Sequence, residues 1–423
     1  MSGRPADWLH SQRWFRSKNR PIASVAEHDR APLGSTAALV VLEVAYADAG
    51  PPDHYLVPTI DEREPRDGEG AWAAITGVIA DGATLEGARG RFVGAPRPAI
   101  GALMPAGLTE RRLGVEQTNT SAVVGDRLIL KIYRLLEAGE NPDVEVSAFL
   151  ADAGFTDTPA PAGSLTYETD TESAAAAMLQ AYVPSRGDAW ATMLAALADG
   201  PEPGVELAAR IGELTARMHA ALASRPRDPA FPARAASVAE TAAWRSAAEA
   251  QLAQAVGAVS GEAHRRMVAV APGATARFAD TFGSATGEAR VSRVHGDYHL
   301  GQLLARTDGG FSVIDFEGEP ARPLAERRAT SSPLRDVAGM LRSLDYAART
   351  AERAQRGFDA EAWSSVAREA FMAAYGAIGP DDAGLLEAFE LEKACYEVRY
   401  EANNRPDWLW LPLAAVERLV TGA

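Results

Sequence analysis

Between Arg293 and Glu319 the chain reads RVHGDYHLGQLLARTDGGFSVIDFEGE. Asp297 is followed five residues later by Gln302 and thirteen residues after that by Asp315. Two short apolar segments, Leu303 to Ala305 and Phe311 to Phe316, flank Thr307-Asp308-Gly309-Gly310, which has hairpin turn chemistry. Folding back at that turn brings Asp315 to the loop that carries His295, Gly296 and Asp297. Phosphoryl transfer needs an acidic residue to accept the attacking hydroxyl's proton, and a carboxylate plus an amide oxygen to hold magnesium on nucleotide phosphates. Asp297 is therefore the expected base, with Gln302 and Asp315 as magnesium ligands and Glu317 in reach of a second metal.

Such a site needs elements that hold ATP. Gln117-Thr118-Asn119-Thr120-Ser121 precedes an apolar run, a Gly125-Asp126 turn, and the strand-like LILKIY ending at Tyr133. Phosphate loops are usually glycine-rich so that backbone amides can approach oxygens; this one has no glycine, and by residue type alone it is an ordinary polar turn. Lys131 shares a strand face with Ile129 and Tyr133 by period-two alternation. It is either an edge lysine that snorkels or the lysine that holds the α- and β-phosphates. Asn141-Pro142 then starts a helix with a good cap and proline at its first position. That places Glu145 in the first turns, where it would anchor Lys131 as kinases do. Ala174 to Val183 is the next apolar run, either a plain core strand or a strand and hinge in which Gln180, Tyr182 and Val183 offer backbone groups to adenine.

Beyond Asp188 the pattern is helical, including a core-facing stripe from Leu207 to Leu222. His219 beside it reads as structural, and Pro272-Gly273 as a mobile loop. Asp336 either caps the helix running to Tyr346 or supports the catalytic loop. Glu390, Lys393, Glu397, Glu401 and Asn404 recur at steps of three or four along a long helix, with Tyr396 and Tyr400 beside them. From residues alone that is a solvated face. Arg405-Pro406 stops it, however, and Asp407, Trp408 and Trp410 follow, so carboxylates and indoles suited to gripping a sugar are gathered there.

The chain has 423 residues, enough for two or three subdomains, with 47% hydrophobic and 23% charged residues, as in a globular protein. Forty-two basic against 57 acidic residues leave a net charge of -15, which argues against nucleic-acid and anionic-membrane partners. Cys395 is the only cysteine, so neither an intrachain disulfide nor a thiolate zinc site is expected. The first residues lack an apolar signal core, and no run has the roughly 18 apolar residues of a membrane span. A cytoplasmic protein, monomeric or weakly dimeric, is the expectation.

The HGD motif, the amide that follows after four intervening residues and the following strand that ends in Asp315 resemble the core of aminoglycoside phosphotransferase-like kinases. DFEGEPARPLAERRATSSPLRDVAGMLRSLDYAA and EKACYEVRYEANNRPDW are similar to segments of actinobacterial maltokinases and the related glucosamine kinases, and QRWF resembles the maltokinase N-terminal cap. The resemblance implies an α+β, bilobal, protein-kinase-like fold. A cap subdomain would occupy residues 1–95, a β-rich N-lobe 96–185 and a helical C-lobe 186–423. It implies an ATP- and Mg2+-dependent sugar kinase in which Thr118, Asn119, Thr120 and Ser121 contact phosphate. The acceptor would be held by Asp297, His299, Glu397, Tyr400, Glu401, Asn404, Arg405 and Trp408. NNRPDWLWLPL and the short chain depart from maltokinases, and an acidic pocket of Asp297, Glu397 and Glu401 would suit the ammonium of glucosamine. Glucosamine is therefore the expected acceptor and maltose the alternative. An antibiotic phosphotransferase and a non-catalytic binding protein are the remaining readings; the long C-terminal motif opposes the first and the intact catalytic set opposes the second.

Overall fold

The computed structural model describes residues 6–422 except 49, 105, 106, 108, 115–117, 286 and 321; Gln117 thus lies outside the described residues. The chain divides into two compact units, residues 1–151 with 158–184, and 152–157 with 185–423.

The first unit opens with a three-stranded antiparallel sheet, Ile22–Leu33, Ala37–Tyr46 and Asp53–Ile60. The second and third strands form a hairpin, and the long first strand pairs with the second. The middle strand reads ALVVLEV because both of its faces are covered, which abolishes the polar alternation of a half-buried strand. Leu39 and Val41 join one core with Leu56, Trp72 and Ile79. Val40, Leu42 and Val44 join another with Trp14, Phe15 and Tyr55. The QRWF aromatics are thus packing residues.

A seven-stranded sheet follows, in the order Thr84–Glu86, Arg91–Pro96, Pro161–Glu168, Ser173–Ala181, Leu128–Ile132, Thr120–Val124, Glu110–Arg112. Its first two strands come from the end of the stretch expected to be cap. Gly125 and Asp126 both take positive φ, 59° and 50°, the conformation of a tight primed turn between paired strands. Leu128, Leu130 and Ile132 point into the core and leave Ile129 and Lys131 on the opposite face.

The second unit is built from long helices and one three-stranded sheet of Ser185–Asp188, Leu303–Arg306 and Phe311–Val313. Asp188 caps Ala189–Asp199 by accepting the Ala191 N–H at 2.8 Å. The Thr307–Gly310 turn forms as expected, in the register Leu303 to Val313. The loop expected at Pro272-Gly273 does not exist: Gly261–Ser284 is one helix that contains Pro272. Ala274, Phe278 and Phe282, spaced four apart, are fully buried on one face, and that burial outweighs the hydrogen bond that the proline removes. No described helix is long and apolar enough to cross a membrane.

Candidate active site

In the first unit, Lys131 Nζ lies 2.7 Å from Asp143 Oδ2, and the Tyr133 hydroxyl donates to the same oxygen at 3.1 Å. Asp143, two residues before the expected Glu145, is thus a carboxylate that meets the lysine. Asn141 Oδ1 accepts the Asp143 N–H at 2.8 Å and fixes the helix start Pro142–Asp152. Asp143 is 2% exposed, and a buried carboxylate is stable only when paired. An acidic residue in the first helical turn, twelve residues after a strand lysine, is the signal that points to it. Asp143→Asn is accordingly expected to raise the KM for ATP by about tenfold or more, since removing one charge of a buried pair is costly; steady-state kinetics on the variant test it.

The expected phosphate segment divides. Thr120 is buried and its hydroxyl accepts Arg134 Nε at 2.8 Å, so that side chain supports a buried arginine and does not face a phosphate. Ser121 lies directly opposite Lys131 on the neighbouring strand, and Thr118 and Asn119 are half-buried. At the other expected nucleotide contact, Gln180 and Ala181 are in the strand, and the Tyr182 N–H already donates to the Arg127 carbonyl at 2.9 Å. Tyr182 therefore cannot supply that donor to adenine; Val183 follows it, half-buried.

In the second unit the catalytic loop is fixed by Asp336. Its carboxylate accepts the His295 N–H at 2.7 Å, the Gly296 N–H at 2.9 Å and a contact from His219 Nε2 at 3.2 Å. Asp336 is the third residue of helix Leu334–Ala354 and is 1% exposed, so its loop-supporting role prevails over helix capping. Burial opposes its charge, but His219 and the backbone donors outweigh this and hold the carboxyl below its ordinary range. His219 is structural, as expected, its other nitrogen 3.0 Å from the Tyr375 hydroxyl. Gly339 lets the loop sit on this helix, because a Cβ there would lie 2.6 Å from the Tyr298 carbonyl oxygen.

The two acidic loops meet. His295 Nε2 donates to the Ile314 carbonyl at 2.9 Å, which leaves Nδ1 to accept the Asp297 N–H at 3.4 Å. The His295 ring packs on Phe316 with centroids 4.9 Å apart. A Cβ on Gly296, which has φ +86°, would come 3.2 Å from Gly318 Cα. Gln302 Nε2 is 3.3 Å from Asp315 Oδ2, and Asp315 is held at φ 68°, rare for a non-glycine residue and common at functional sites. Glu317, half-buried, is two residues further on, and its carbonyl accepts from Arg327 at 3.3 Å.

Lys393, to which the sequence assigns a place on the polar stripe but no role, belongs to the site. Its Nζ lies 3.3 Å from Asp297 Oδ1 and 3.3 Å from Glu319 Oε1. Burial opposes the Lys393 charge, while Asp297 and Glu319 raise its pKa. Glu319, also resisted by burial, is pulled down to about 2 by Lys393 and Arg322. His299 is half-buried and its Nδ1 accepts the Gly301 N–H at 3.0 Å. Burial lowers its pKa and keeps the ring neutral.

The expected acceptor residues are engaged with other groups of the chain. Glu397 receives Arg342 at 2.7 and 3.0 Å, and Glu401 receives Arg405 at 2.6 and 2.9 Å and the Tyr346 hydroxyl at 3.3 Å. Arg353 and Arg405 stand over the Trp408 ring at 4.9 and 6.0 Å, and Asn404 donates to the Tyr400 carbonyl at 2.8 Å. Each four-residue step on a helix rotates the side chain by about 40°, and Glu401 lies about 12 Å along the axis from Lys393. The stripe therefore turns away from Asp297 toward helix Leu334–Ala354. The residues of helix Pro380–Asn404 that line the cavity at Asp297 are Phe389, Glu392, Lys393 and Tyr396. A larger cavity of about 590 Å³ shares Gly296, Glu319, Arg322 and Arg335 with it and reaches Trp244.

An aspartate followed by an amide and carboxylate pair, on loops joined by a short hairpin, is the arrangement expected of a kinase-like phosphotransferase. The chain belongs to the phosphotransferase enzyme family, whose model matches residues 108–375; residues 8–87 match the maltokinase N-terminal cap domain. It is 35% identical to a glucosamine kinase of Streptacidiphilus jiangxiensis over 324 residues, 72% of each chain. It is 32% identical to a glucosamine kinase of Mycolicibacterium smegmatis over 334 residues, 74% of this chain and 79% of that one. A solved glucosamine kinase in complex with glucosamine, ADP and inorganic phosphate superposes with a TM-score of 0.75 at 28% identity, covering 99% of this chain and 100% of the other. The fold is thus the kinase-like phosphotransferase fold with a maltokinase-type cap, and the enzyme transfers a phosphoryl group to an alcohol.

Proposed function

We propose that this kinase uses ATP and magnesium to phosphorylate glucosamine, giving glucosamine 6-phosphate. The observation that carries the reading is the polar cavity at Asp297, lined by Glu319 and Glu392 together with Arg322, Arg335 and Lys393, in a chain that is 32–35% identical to glucosamine kinases over most of its length. Maltose, giving maltose 1-phosphate, is the second reading, favoured by the maltokinase-type cap.

In this mechanism Asp297 orients the acceptor hydroxyl and takes its proton. Lys131, set by Asp143, holds the nucleotide phosphates, with Thr118, Asn119 and Ser121 adding polar contacts. The Gln302 amide oxygen and the Asp315 carboxylate would be the oxygen ligands that magnesium prefers, and Glu317 would serve a second ion. Magnesium, when bound, supplies neutralisation of charge on the phosphates. Positioning and charge neutralisation provide most of the rate, since the transition state of phosphoryl transfer is loose.

Coupled ADP release measured with glucosamine, glucose, maltose and an aminoglycoside tests the substrate. Glucosamine should give the highest kcat/KM, and a preference for maltose would overturn the assignment.

A further inference from the structure

Far from the catalytic loops in sequence, His28, Glu43 and His54 gather at one place, one from each strand of the sheet Ile22–Leu33, Ala37–Tyr46 and Asp53–Ile60. Glu43 and His54 are direct cross-strand partners. By the two-residue alternation of a strand they leave the sheet on the face of Val41 and Leu56, at the end of the core on that side. His28 reaches the same place through an irregularity of the first strand. The register slips between Glu27, opposite Leu42, and Asp29, opposite Val41, so that His28 is the extra residue of a β-bulge. A bulge re-aims a side chain, here toward Glu43 and His54.

The spacing of the three groups is that of ligands rather than of hydrogen-bond partners. His28 Nδ1 is 3.4 Å and His54 Nε2 is 3.5 Å from the same oxygen, Glu43 Oε2. Both separations exceed an ordinary N–H···O bond of about 2.7–3.2 Å. His54 Nε2 is buried and has no hydrogen-bond partner among the described residues. Around tetrahedral zinc, with bonds of about 2.0–2.2 Å, neighbouring ligand atoms lie about 3.3–3.6 Å apart. All three ligand atoms are within 4.8 Å of one another, so small rotations of half-buried side chains complete the triangle. Their partial exposure leaves the fourth position to water. Two imidazoles and one carboxylate favour zinc over magnesium and calcium, which take oxygen ligands.

We propose that His28, Glu43 and His54 form a zinc site that staples the three strands of the cap-type sheet. The proposal goes beyond the functional reading above and does not depend on it. Each ligand comes from a different strand, so the ion is held only when all three strands are paired, and its binding free energy adds to the folding free energy of the sheet.

The test titrates Zn2+ by calorimetry into the full chain after treatment with a chelator, with excess Mg2+ present to occupy the oxygen ligands of the catalytic loops. The wild type should bind one Zn2+ that Mg2+ does not displace. His28→Ala and His54→Ala should each weaken that binding by about 100-fold or more, since changes merely outside a ligand shell cost about 10- to 100-fold. Thermal melting gives a second readout: Zn2+ should raise the midpoint of the wild type and leave those of the two variants unmoved. Unchanged Mg-ATP affinity shows that the variants are folded. If His54→Ala does not fold, His28→Ala, on the first strand of the sheet, carries the test. Failure of the wild type to bind Zn2+ saturably, or retention of wild-type affinity by either histidine variant, overturns the proposal. A wild type inactive on glucosamine leaves it standing.

Discussion

Replacing Asp297 with asparagine is expected to lower kcat by about 10²- to 10⁴-fold, the usual contribution of a positioned general base, while nucleotide binding stays intact. The substitution preserves the side chain's volume and leaves an amide oxygen for Lys393, which also retains Glu319 at 3.3 Å. What disappears is the anionic oxygen that takes the hydroxyl proton. The nucleotide groups lie elsewhere in the chain, where Lys131 is held by Asp143. ADP release gives the turnover, and calorimetric titration with Mg-ATP gives the affinity. Turnover near the wild-type rate would remove Asp297 as base and with it the central assignment.

Lys393 sharpens this expectation. The ion pair with Lys393 holds the Asp297 side chain in place before the acceptor arrives. The Asp297→Asn enzyme would keep the lysine but not the base, so the residual rate of the variant measures what positioning and charge contribute without proton abstraction.

The catalytic loops are readable because their chemistry is local in sequence: HGD, Gln302 and Asp315 are joined by a hairpin whose turn residues announce it. Lys131 is readable for the same reason, a charge inside an apolar strand. The acceptor side is not. Whether Glu397 or Glu392 faces Asp297 depends on the rotation of a 25-residue helix against its neighbour, and a polar stripe records spacing but not the direction in which it points. Arg342, fully buried on the adjacent helix, draws Glu397 away, and that pairing lies 55 residues apart in the chain. In the first unit, Thr120 resembles a phosphate ligand in sequence because Arg134, the partner it serves, is also buried and fourteen residues away.

Replacing Asp336 with alanine should destabilise the enzyme by about 3–5 kcal/mol, as expected when one member of a buried charged cluster is removed. It should also lower kcat, because Asp297 follows directly on the two backbone groups that Asp336 holds. His295 N–H, Gly296 N–H and His219 would all lose their acceptor in a site that excludes water. Asp336→Asn separates charge from shape. The native carboxyl is held below its ordinary range, so its ionisation contributes stability that is fully present above the unfolded pKa of about 3.9. That contribution is lost as pH falls through the lower native value. The stability gap between the wild type and Asp336→Asn should therefore be widest at neutral pH and narrow on acidification below about pH 4. Urea denaturation of both proteins across that range gives the gap directly. A gap independent of pH would show that Asp336 supports the loop as a hydrogen-bond acceptor alone, without its charge.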